Sequence, residues 1–158
     1  MVREANDLAV GHESADPFVV AGRAAARLAR QVDLALQDAD LSAPQYRVLA
    51  FLSRGSQVAS GIAGRLDVSR PTVTAIVDGL VARGFVERRT ESDDRRRVHH
   101  VLTPAGRRAV AGGDAAVTAR LQTISSHLPA GDAQRALDAL ELWHDALDRA
   151  ARAVTASP

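Results

Sequence analysis

Residues 92–107 read SDDRRRVHHVLTPAGR, which places two carboxylates, three consecutive guanidiniums and two imidazoles ahead of a Leu-Thr-Pro step. Three chemistries use such groups: acid–base catalysis, metal ligation and contact with a polyanion. Asp93 and Asp94 sit among arginines, which hold carboxylates ionised and unsuited to act as acids. On an extended strand, the adjacent His99 and His100 point to opposite faces, so at most one of them joins a given site. His12, His127 and His144 lie in other segments, and no H-x₃-H or H-E-x-x-H pairing occurs. The chain has no Gly-rich phosphate loop and no G-x-S-x-G elbow. The expectation is a protein with no catalytic residues, no metal site within one chain and no cofactor. Contact with a polyanion is the chemistry that fits best.

The distribution of charge points the same way. The formal net charge is only +1, but residues 1–53 hold five Arg against seven Asp and Glu, residues 54–108 eleven against six, and residues 109–158 four against six. The middle third is therefore +5 (eleven minus six) and each flank −2, the pattern of a basic surface carried between acidic helical parts. Every basic side chain other than histidine is arginine, and its planar fork engages phosphate and guanine in a way that lysine cannot. Cysteine is absent, which excludes disulfides, thiolate chemistry and a cysteine-based redox switch. No apolar run is long enough to cross a bilayer, and the acidic, polar start is unlike a secretory leader. The chain reads as cytoplasmic.

These groups must be positioned by mostly helical elements. Val20, Ala24, Leu28 and Val32, with Ala35 or Leu36, form a stripe at helical spacing, so a helix is predicted from residue 17 to about 38. Ser42 and Gln45 form a capping-box pair, Pro44 fits a first turn, and Leu41 and Tyr46 are placed as a hydrophobic staple. That second helix runs to about Ser53. Ser60 is expected to cap a short third helix, and Ser69 a fourth that buries Val73, Ile76, Val77 and Leu80 and ends at Gly84. The periodicity then changes: residues 85–89 and 97–102 read as a β-hairpin with a charged tip. Thr103 and Pro104 are an N-cap and first-turn proline that open a long helix to about Ser125. After a break at 129–132, a last helix aligns Leu137, Leu140, Trp143 or His144, and Leu147, and frays after about Ala153. The fold class is mainly α with a small β-wing.

A helix, a short helix, a turn, a helix and two strands follow one another in the order of a winged helix-turn-helix. In that motif the N-terminal residues of the second helix of the pair reach base edges in the major groove. Here those residues are Ser69, Arg70, Pro71, Thr72 and Thr74. Arg70 suits a bidentate approach to guanine or a clamp on phosphate.

The residues resemble the MarR (multiple antibiotic resistance regulator) family of bacterial transcription factors. The family's wing signature, D-x-R followed after five residues by L-T, is matched by Asp94, Arg96, Leu102 and Thr103. LSAPQYRVL at 41–49, SRPTVTAIVDGLVARGFVER at 69–88 and LTPAGR at 102–107 add to the match. The resemblance covers roughly 17–153. It implies a homodimer on a pseudo-palindromic DNA operator, usually a repressor, nucleoid-associated through DNA and released by a small aromatic or anionic effector. It further implies that Arg96 enters the minor groove, that Asp94 orients the wing and that Arg95 and Arg97 serve phosphates. Two departures are Ala75 and Gly79, where many relatives carry basic residues. They put more of the grip on the wing.

The resemblance also places an effector pocket where helices one, two and five meet the winged module, with Phe18, Arg23, Tyr46, Arg47 and Phe51 as candidates. For Tyr46 and Phe51, staple and core roles are the alternative reading. The domain organisation expected is a tail at 1–16, a dimerisation helix at 17–40, the winged module at 41–103, dimerisation helices at 104–153 and a frayed end at 154–158. Recognition helix and wing occupy about 69–83 and 85–102. Two other functions stay open: a winged-helix protein-interaction module that does not bind specific DNA, and a metal-responsive regulator assembling ligands from two chains.

Overall fold

The computed structural model describes residues 16–55, 57–66, 68–90 and 98–156. Local chemistry sets most of its boundaries. Helix α1 (Pro17–Asp38) starts where the Asp16 carboxylate accepts the Phe18 amide at 2.8 Å, with Pro17 at the first helical position. Helix α2 (Ala43–Leu52) opens with the capping box in place: Ser42 Oγ accepts the Gln45 amide at 3.3 Å and Gln45 Oε1 accepts the Ser42 amide at 3.1 Å. Each reciprocal bond satisfies an amide the helix itself leaves without a partner. Strand β1 (Gln57–Val58), α3 (Ala59–Leu66), α4 (Arg70–Ala82), β2 (Val86–Thr90), β3 (Val98–Leu102), α5 (Pro104–Ser125) and α6 (Asp132–Ala156) complete the order.

Three boundaries differ from the sequence-based expectation. The hairpin is part of a three-stranded antiparallel sheet in the order β1-β3-β2, because Gln57 and Val58 pair with His100 and His99. A two-residue strand carries too little periodicity to be read from sequence. Since that strand runs directly into the helix, α3 begins at Ala59 and Ser60 lies inside it rather than capping it. Helix α6 continues to Ala156, past the expected fraying point.

The core lies under the winged module. Leu36, Val48, Leu49, Ile62, Val73, Val77 and Leu80 are completely or almost completely buried, and Leu41, Leu52, Val86 and Leu102 close around them. A side chain of this kind stabilises the fold by about 1.5–3 kcal/mol when fully buried. The Leu-Thr-Pro-Ala-Gly segment then locks the wing base onto α5. Thr103 Oγ1 accepts the Gly106 amide at 3.0 Å and donates to the Gly84 carbonyl at 2.7 Å, while the Thr103 amide reaches Phe85 O at 3.0 Å. A Cβ on Gly106 would stand 2.0 Å from Phe85 O, so this joint admits only glycine. Gly84, at φ +69°, supplies the left-handed turn between α4 and β2.

The outer helices are different in kind. Along α1 only Ala35 and Leu36 are buried, and α6 has no buried residue among those described. Phe18, Val19 and Val20 on α1, and Leu137, Leu140, Leu142, Trp143 and Leu147 on α6, are exposed.

Candidate nucleic-acid interface

The N-terminal face of α4 is held outward by its own core stripe. Val73, Val77 and Leu80 are buried, leaving Ser69, Arg70, Pro71, Thr72 and Thr74 exposed, with Ala75 beside them. All five sequence-predicted recognition residues thus share one exposed surface. Their hydroxyls are partly committed. Ser69 Oγ accepts the Thr72 amide at 3.3 Å and lies 2.7 Å from Thr72 Oγ1, so one proton of the two hydroxyls is spent between them. Thr74 Oγ1 donates to the Arg70 carbonyl at 3.0 Å and keeps only acceptor capacity for an outside partner. Arg70 is the strongest unspent cation of this surface, and Ala75 and Gly79 add no charge to it.

The wing begins from an ordered base. β2 and β3 pair from Val86↔Leu102 to Thr90↔Val98. Arg88 on β2 forms an ion pair with Asp78 on α4, tying the strand to that helix; Arg89 reaches Glu87 on its own strand. The sequence-predicted wing residues Asp94, Arg95, Arg96 and Arg97 lie outside the described residues. Within the sheet, His100 is buried with Nδ1 3.2 Å from the Gln57 carbonyl. Burial pushes its pKa below the ordinary histidine value, which favours a neutral structural imidazole. Among the described residues no group of three His, Asp or Glu side chains is placed to hold a metal ion.

The effector candidates separate into two sets. Tyr46, Arg47 and Phe51 line one cleft of about 790 Å³, together with Ala50, Arg54, Arg65 and Leu66 and the α6 residues His144, Leu147 and Asp148. Phe18 and Arg23 do not line it; both are exposed on the N-terminal half of α1. The cleft lies between α2, α3 and α6 rather than among helices one, two and five. Tyr46 is anchored as well as exposed to the cleft: a Cβ on Gly113 would meet its ring at 2.9 Å, and its hydroxyl donates to Asp114 Oδ1 at 2.5 Å. Burial, reinforced by that bond to a carboxylate, pushes the phenol up to about 12. The Arg47 guanidinium donates to the Leu66 carbonyl at the end of α3 at 2.8 Å.

Sequence reasoning missed Arg65, Asp78, Arg88, Asp114 and Asp148, whose partnerships join different elements. Arg65 and Asp148 stand 83 residues apart, and the two isolated charges carry no local signal of a pair.

A model of the MarR family matches residues 39–97, from the end of α1 through α4 and β2. Over that segment the chain is similar to the MarR family. Solved structures extend the likeness beyond that module. Wild-type MarR from E. coli in its apo form aligns with a TM-score of 0.70 at 24% identity, over 79% of this chain and 93% of the other. CouR from Rhodococcus jostii RHA1, solved with p-coumaroyl-CoA, gives 0.66 at 25% identity over 81% and 91%. A MepR mutant from S. aureus, solved with an oligodeoxyribonucleotide, gives 0.60 at 20% identity over 82% and 96%. No curated protein matches the sequence significantly. Coverage of about four-fifths means that the MarR fold here includes long helices as well as the winged module. No described helix is long and apolar enough to cross a membrane.

Proposed function

We propose that this chain is a MarR-family regulator, a homodimeric, ligand-responsive transcriptional repressor of a pseudo-palindromic DNA operator, with no enzymatic activity and no cofactor, acting at the nucleoid in the cytoplasm. The observation that carries the reading is the outward N-terminus of α4, tied through Asp78–Arg88 to the base of an arginine-rich wing inside the +5 third of the chain. Ser69, Arg70, Pro71, Thr72 and Thr74 enter the major groove. Arg96 enters the adjacent minor groove, where a narrow A·T-rich tract concentrates negative potential. Asp94 orients the wing, and Arg95 and Arg97 hold flanking phosphates. The oligodeoxyribonucleotide seen with the MepR mutant supports this assignment.

The exposed apolar residues of α1 and α6 supply the dimer surface. Leu137, Leu140, Leu142 and Trp143, exposed together on one helix, are costly in water and are covered by a second copy of the same helices. Two modules held this way meet half-sites about one helical turn apart. The cleft with Tyr46, Arg47 and Phe51 receives a small aromatic or anionic effector. The p-coumaroyl-CoA bound by CouR supports a ligand of that character; Phe18 and Arg23 are left without a role in it.

Fluorescence anisotropy on the DNA upstream of the chain's own gene, against scrambled DNA and across a salt series, tests the reading. The expected result is salt-sensitive preference for the native fragment, weakened by about 1–3 kcal/mol per protomer in Arg96→Ala. Equal binding to both DNAs would point to an architectural role. Absence of binding by a folded dimer free of ligand would overturn the assignment.

A further inference from the structure

The effector cleft contains its own carboxylate. Arg65, on α3, and Asp148, on α6, form an ion pair at the cleft wall, each side chain only 20% exposed. His144 Nε2 lies 3.9 Å from the same carboxylate. The Arg65 guanidinium holds the Asp148 carboxyl below the usual carboxylate range, so the pair is ionic at neutral pH. The rest of the lining includes apolar Phe51, Leu66 and Leu147 and cationic Arg47 and Arg54. Arg47 is already committed to the Leu66 carbonyl. Arg54 lines the cleft as well, but Arg65 is the lining guanidinium that already holds a carboxylate, that of Asp148.

We propose that Asp148 is a tethered competitor for the effector: an aromatic carboxylate displaces the Asp148 carboxylate from Arg65 and thereby releases α6 from α3. The inference rests on the reading of this cleft as the effector site and adds how occupancy is transmitted. Helices α3 and α6 pack against each other directly, and the Arg65–Asp148 pair is an ionic link between them. Only residues 67–69 separate α3 from the recognition helix α4. Exchange of one carboxylate for another leaves the charge on Arg65 compensated, so ligand entry does not expose a buried cation. What changes is the link: before exchange the carboxylate belongs to α6, and after it to a diffusible molecule. The apolar lining residues Phe51, Leu66 and Leu147 receive the ring, which is why a carboxylate with an aromatic body competes where a simple anion such as acetate does not.

The test uses the full-length dimer with 2-naphthoate as probe and uncharged 2-naphthamide as control, followed by isothermal titration calorimetry in the absence of DNA. Asp148→Asn removes the competitor and is expected to bind naphthoate roughly two- to tenfold more tightly than wild type, with naphthamide unchanged. Arg65→Gln is expected to abolish the preference for the carboxylate over the amide. As a check on the unaltered protein, amide hydrogen exchange around residues 145–152 of α6 should accelerate when wild type is saturated with naphthoate. If Asp148→Asn gains no affinity, or α6 exchange in wild type is unchanged at saturation, the competitor role is overturned while the cleft remains a ligand site. If no form of the protein binds naphthoate, both the competitor and the effector reading of the cleft are overturned.

Discussion

The winged module and the outer helices are built from similar residues but stabilised differently. Leu49 and Leu142 show the contrast: the first is completely buried by α-helices and strands of its own chain, the second is 69% exposed on α6. The module closes its core within one chain. The outer helices leave theirs exposed. A closed core and an open apolar surface are therefore joined in one chain, and the cleft holding Arg65 and Asp148 lies where the two meet.

The largest test of this contrast is at the wing joint. Gly106→Ala sets a methyl against the Phe85 carbonyl, a backbone atom that cannot swing aside. A loss of about 3 kcal/mol or more is expected, enough to abolish a cooperative unfolding transition in a marginally stable domain; circular dichroism during urea titration measures it. Next come two chemically identical truncations. Leu49→Ala should lower stability by about 2–5 kcal/mol at any protein concentration. Leu142→Ala should instead weaken association, seen by sedimentation as a shift toward monomer on dilution, with a melting temperature that depends on concentration. Equal, concentration-independent losses for the two would erase the distinction between module and outer helix.

A third test probes the seam between α2 and α5. Tyr46 is the single tyrosine of the chain, so absorbance of the phenolate reports it alone. Its midpoint should lie near 12 rather than 10 and fall in Asp114→Asn. Because the fold favours the neutral phenol, its contribution to stability is complete below about pH 10 and is lost as pH rises toward 12. The smallest expected effect is on α4. Gly79 has open space where a Cβ would stand, so Gly79→Ala should stabilise the module by about 0.5–1 kcal/mol in chemical denaturation, without changing association.

Legibility in the sequence followed the range of the interactions. Ser42 with Gln45, Ser69 as the cap of α4 and Thr103 with Pro104 were readable because each cap bonds an amide three residues away. The exposed set Ser69, Arg70, Pro71, Thr72 and Thr74 was readable because a helix with Val73, Val77 and Leu80 inward must turn those residues outward. Strand β1 was not, since two residues become a strand only when β3 is beside them. Of the effector candidates, Tyr46, Arg47 and Phe51 come from one helix and line one cleft, whereas Phe18 and Arg23 belong to a different helix and do not line it.

By itself the sequence determined the helical periods, the caps, the basic middle third and the family motifs, because each is written in neighbouring residues or in simple counts. Only the tertiary structure decided that Tyr46 would lie over Gly113 and bond Asp114, that Asp78 would hold Arg88, and that Asp148 would occupy Arg65. Charges and hydroxyls far apart along a chain have no fixed partners until the burial of Leu36, Leu49, Ile62 and Leu80 fixes how the helices cross. Packing of that apolar core sets the distances, and the polar pairs form where it brings them within reach.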